Sequence, residues 1–132
     1  MLDVHPEPEH ARILVRIGDV TREVGKLDDT AYIEDIHAGR AVLASLMQEG
    51  LFAREREAVF EHILHATDVD TWLAYREERS TRSVLDPRIG ERVRELLSQG
   101  MGEILVVELG YACTLRRLSG VSERASIEPT GE

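Results

Sequence analysis

The chain has 132 residues, 42% of them apolar and 31% charged, which is enough for one compact domain with a core of its own and too few for two. Sixteen lysines and arginines against 25 acidic residues leave a formal charge of -9, the wrong sign for a protein held on nucleic acid by phosphate contacts. A single cysteine, Cys113, excludes an internal disulfide framework and a thiolate-built metal site, and fits a reducing cytosol.

No apolar stretch approaches the roughly 18 residues needed to span a bilayer. Met1 to His10 is acidic and carries two prolines, where a signal peptide needs a basic patch and an apolar run. The expected protein is cytoplasmic, with neither nucleic acid nor membrane as partner. Its arginines, among them Arg12, Arg16, Arg22, Arg54, Arg56 and Arg76, are scattered between acidic neighbours and read as solvated faces of both charge signs.

Residues 11–17 alternate, with Ile13, Val15 and Ile17 on one side and Arg12, Leu14 and Arg16 on the other, the period of a half-buried strand. Gly18-Asp19 separates this run from the alternation around Val20 and Val24, which predicts a hairpin over 11–24 with positive φ at the glycine. Thr30 is set to cap a helix whose apolar positions Ile33, Ile36, Leu43, Leu46 and Met47 recur at helical spacing, and Gly50 closes it. Gly39 and Arg40 interrupt that stripe; the glycine either marks close packing against another element or is tolerated without one.

Glu57 to Ala66 is rich in β-branched and aromatic residues and predicts a strand covered on both faces. Asp68 begins a helix with Val69, Trp72 and Leu73 on one side, and the polar run from Arg76 to Ser83 reads as its exposed end or a linker. Asp86-Pro87 restarts a helix, with Asp as N-cap and Pro at the first position, whose buried stripe is Ile89, Val93, Leu96 and Leu97. Ile104 to Leu109 reads as a buried strand; Tyr111 to Leu118 extends it or turns back beside it, with Gly110 as bulge or bend. From Ser119 the composition predicts a disordered tail, which leaves 1–118 as the single domain.

Few constellations point to chemistry, and no residue stands out as catalytic. His5, Glu7, Glu9 and His10 are suitable metal-ligand types, but Pro6 and Pro8 hold the segment extended and no third cluster completes a site. In a strand His62 and His65 point to opposite faces. Cys113 has no adjacent base and reads as an inert buried thiol. The glycines at Gly100 and Gly102 precede a strand, the reverse of what an anion-binding helix N-terminus needs. Trp72 and Tyr75 read as core and rim rather than as a base-stacking platform.

The segments "EDIHAGRAVLASLMQEGLF", "EREAVFEHILHATDVDTWLAYREER", "LDPRIGERVRELL" and "GEILVVELGYACTLRRL" together resemble the C-terminal half of class I S-adenosylmethionine-dependent methyltransferases. In that half a strand-five region is followed by a helix, a sixth strand, further helices and a final antiparallel strand. The resemblance implies a partial α/β, or α+β, fold: an N-terminal β-hairpin, three main helices and a small mixed sheet. Residues 1–4 would be the remnant of strand five, 57–66 the sixth strand and 104–118 the seventh, with the hairpin an insertion. The family's cofactor site, a glycine-rich turn after the first strand and an acidic residue at the end of the second, has no counterpart, so no cofactor ligand is carried over; S-adenosylmethionine is expected only if a partner supplies the missing half.

A sheet shortened in this way has an unpaired edge. The resemblance therefore implies a homodimer or a docked partner chain, and an interaction or acceptor-recognition role, or part of a split or truncated methyltransferase. His5 and Glu7, after strand five on the side of the family's acceptor pocket, are the candidate substrate-binding residues. Two alternatives stand beside it: a small α+β ligand-binding or enzymatic domain unrelated to methyl transfer, with His5, His37 or His62 in a pocket beside carboxylates, and a structural homodimer.

Overall fold

The structure, a computed structural model, describes residues 1–118; the tail expected from Ser119 lies outside the described residues. The elements run β1 (Leu2–Pro6), β2 (Arg12–Ile17), β3 (Val20–Lys26), α1 (Thr30–Gln48), β4 (Phe52–Ala66), α2 (Val69–Glu78), α3 (Pro87–Leu97) and β5 (Gly102–Arg117). The described residues thus form an α+β domain of three helices and a five-stranded open sheet. Every paired strand is antiparallel, so the sheet is not the mixed one expected.

The last strand organises the sheet. Ile104 to Val107 is buried on both faces of the pleat, as a central strand requires, and Tyr111, Cys113 and Leu115 continue the buried alternation. One edge of β5 pairs with β4 along almost its whole length. Its other edge is shared end to end: β1 takes 110–114 and β2 takes 102–107, with β3 beyond β2. β1 and β2 are one line of chain interrupted at 7–11, where Pro6 and Pro8 have no N–H to give and only Glu7 N–H reaches back, to the Leu109 carbonyl, at 2.8 Å.

Tyr111 to Arg117 therefore continues the strand rather than folding back, and the register runs through Gly110 without a bulge. Gly110 is small for a different reason: the Phe60 ring lies where its side chain would be. Gly18 carries a φ of 59° in the hairpin as expected, and Asp19 keeps negative φ, the pattern of a type II′ turn.

Two helical layers cover the sheet diagonally. Ile104 and Val106 face the same side as Ile13 and Val15, where Trp72, Val93 and Leu96 of α2 and α3 close the larger core. Tyr111, Cys113 and Leu115 have the opposite parity, and Leu43 and Met47 of α1 pack there with Phe52. The caps are local: Asp68 accepts from Thr71 N–H at 3.2 Å and Asp86 from Arg88 N–H at 2.9 Å.

At α1 the N-cap is Asp29 rather than Thr30, because Asp28 takes the Thr30 N–H and hydroxyl. Asp29 is drawn inward instead, accepting from Ala11 N–H at 2.9 Å and from the Ser83 hydroxyl, which ties β2, α1 and the start of the α3 region together. The far end closes at Gly50, φ 80°, with Gly50 N–H donating to Met47 O and Leu51 N–H to Leu46 O, a Schellman motif.

Two expectations fail on exposure. β4 is longer than expected and is exposed along nearly all of it, because it is an edge strand without a helix over its middle. Arg76, expected on a solvated face, is buried.

Candidate functional site

Strand pairing builds a polar cluster at the β1 end of the sheet. Asp3 faces Cys113 and His5 faces Tyr111 in the register, so all four side chains share the side that α1 crosses. His5 Nδ1 lies 3.0 Å from Asp3 Oδ2, and Arg40 of α1 donates from Nε to His5 Nε2 at 3.0 Å. A guanidinium only donates, so Nε2 is the acceptor and the ring proton sits on Nδ1, toward Asp3. The other branch of Arg40 pairs with Glu7. The two candidate residues, His5 and Glu7, are thus brought together, and Arg40 joins them.

Tyr111 forms the floor. Its ring centroid is 5.0 Å from that of His5, and the guanidiniums of Arg40 and Arg54 lie 5.3 and 5.8 Å from it. Cations at this range are attracted to the ring face. Its hydroxyl donates to Glu57 Oε1 at 2.7 Å. Burial, then the hydrogen bond to Glu57, raises the Tyr111 hydroxyl well above the usual tyrosine range, so it is a fixed donor and never a base at physiological pH. Cys113 Sγ is buried and points at Asp3 Oδ2 across 3.9 Å.

Beside this cluster a groove of about 620 Å³ runs between α1 and the free edge of β1, lined by Leu2, His5, Tyr32, Ile36, Gly39 and Leu43 among others. No residue of α1 is fully buried, although the helix is 19 residues long. A methyl group at Gly39 would meet nothing within 4 Å, so that glycine is tolerated rather than required by packing and leaves the groove wall open. Arg82 pairs with Asp35 and lies 4.8 Å over the Tyr32 ring, holding two of the groove's lining residues.

The cluster is a chain of hydrogen-bonded and ion-paired side chains running from Asp3 through His5 and Arg40 to Glu7. Both nitrogens of His5 are engaged, the tyrosine keeps its proton, and the thiol is buried against Asp3. The other histidines lie elsewhere. His10 Nδ1 accepts from Asp29 N–H at 3.0 Å, a structural bond at the α1 start. His37 is exposed, and His62 and His65 take opposite faces of β4, as their spacing requires. Among the described residues no three His, Cys, Asp or Glu side chains converge as metal ligands, and no helix is long and apolar enough to cross a membrane.

Sequence reasoning missed Arg40, Tyr111 and Asp3. Arg40 was visible only as an interruption of the α1 stripe, and Tyr111 joins the cluster only once β1 pairs with β5. No protein-family model, curated protein or solved structure matches the chain.

Proposed function

We propose that the chain is a methyltransferase-like C-terminal module that works by recognition rather than by catalysis. It docks through its β1 side onto a partner that supplies the S-adenosylmethionine-binding half, and it contributes the His5–Arg40–Glu7 cluster to the acceptor side of the assembled site. The single observation that carries this reading is the environment of β1. β5 runs antiparallel between β1, read as strand five, and β4, read as the sixth, while among the described residues the outer edge of β1 is unpaired, beside a helix with no buried residue and an apolar groove. Unpaired N–H and C=O groups beside apolar surface are what a further strand would satisfy.

A second reading rests on a different edge. Among the described residues the outer edge of β4 is free over Phe52–Ala66, and Val59, Phe60, Ile63 and Leu64 are exposed on it, which supports a homodimer formed by pairing β4 with its copy.

Calorimetric titration with S-adenosylmethionine and S-adenosylhomocysteine, with the solution mass recorded on the same sample, tests both. The proposal expects no donor binding by this chain alone; saturable micromolar binding would overturn it. A single-chain mass favours the separate partner. A two-chain mass that Ile63→Lys converts to one favours the homodimer.

A further inference from the structure

The inward stripe of α2 runs Val69, Trp72, Leu73 and then, where the period calls for an apolar residue, Arg76. Arg76 is 7% exposed. It belongs to none of the ion pairs among the described residues. Its buried Nε has no hydrogen-bond partner there, and its one described side-chain interaction is with the Tyr75 ring, 5.3 Å away. A buried N–H donor without an acceptor is costly, and folded chains keep such groups paired.

Arg76 lines two cavities. One, of about 340 Å³, also carries Glu77 and Glu91, which repel an anion. The other, of about 270 Å³, has no acidic lining; Trp72, Tyr75, Leu64, Ala66 and Val106 form its walls. His65 at its rim is turned to Glu103, 2.8 Å from Nδ1, which leaves Arg76 as the cation of the slot. Its form is an apolar aromatic cleft with a donor fork at one end.

We infer that this slot between α2, β4 and β5 binds a small aromatic carboxylate, with the carboxylate on the Arg76 guanidinium and the ring against Trp72 and Tyr75. The guanidinium fork matches a carboxylate with two parallel hydrogen bonds, and the apolar body replaces water on the aromatic walls. The site lies away from the β1 groove, and the inference does not rest on the methyltransferase-like reading.

Trp72 is the only tryptophan, so its emission reports occupancy directly. The full chain is titrated with phenylacetate, with phenylacetamide as its uncharged counterpart and with acetate as the bare anion. The expected result is a saturable change with phenylacetate, and affinities lower by about tenfold or more for the amide, which lacks the charge-assisted bond, and for acetate, which lacks the ring.

Arg76→Met should abolish the phenylacetate response and raise the thermal midpoint, because it removes a buried donor that has no partner among the described residues. Arg79→Met, beside the same tyrosine, should keep the response. Equal affinity for acid and amide, an undiminished response in Arg76→Met, acetate binding as tightly as phenylacetate, or no saturable response to phenylacetate would each overturn the assignment. The comparison of acid with amide on the unaltered chain stands even if the variant fails to fold.

Discussion

The two ends of β5 are built differently. At the 102–107 end, β2, α2 and α3 bury Ile13, Val93 and Ile104 completely, and Asp29 ties three segments together beneath them. At the 110–117 end the strand is flanked by a five-residue β1 and overlaid by a helix none of whose own residues is fully buried, and polar side chains take much of the space between. Hydrophobic stabilisation scales with the apolar area removed from water, so the first end holds the fold. The second end holds the polar cluster and the groove beside it. One strand therefore runs from a closed core into an open, polar end.

The comparison is broken most directly by truncating side chains. Ile13→Ala or Ile104→Ala should cost about 2–5 kcal/mol in denaturant unfolding, against about 1 kcal/mol for Leu43→Ala on α1. Equal costs would mean that α1 is as much a part of the core as α3. Asp29→Ala should follow at about 1–3 kcal/mol, since it leaves the buried Ala11 N–H without an acceptor. Ser83→Ala, which removes only a donor to the same carboxylate, should cost less.

Much of the stable end was legible in the sequence. Period-2 alternation gave β2 and β3, Gly18-Asp19 gave their turn, and Asp68 and Asp86-Pro87 gave the starts of α2 and α3, because each is a local signal. The open end was less so. That 104–117 is one strand depends on two partners brought in from far along the chain, and β-branched residues in 57–66 look the same whether a strand is central or at an edge. His5 and Glu7 were singled out by resemblance; Arg40, which joins them, is 33 residues beyond Glu7. Arg76 broke the helical period in plain sight, but a run of charged residues after it made a solvated end the simpler reading.

Smaller effects sharpen the contrast. Gly39→Ala should stabilise the chain by about 0.5–1 kcal/mol in thermal or denaturant unfolding, because a helix interior prefers alanine and the site is open. A loss of stability there would mean that the groove wall is closed. Asp68 is held below the ordinary carboxylate range by the Thr71 hydroxyl and then by Thr71 N–H. Its contribution is therefore fully present above its unfolded value, about 3.9, and is lost as pH falls through the lower folded one. Asp68→Asn should flatten the acid limb of a stability profile below about pH 4 and leave the neutral limb parallel to that of the unaltered chain.

Native-state hydrogen exchange followed along the chain tests the division between the two ends most directly. The account predicts that the amides of α1 and β1 exchange through local openings at free energies well below the global value, while those of β2, α3 and residues 104–107 exchange only on global unfolding. Uniform protection, with α1 as slow as α3, would contradict it and make the β1 side an integral part of the core rather than a surface open to a partner.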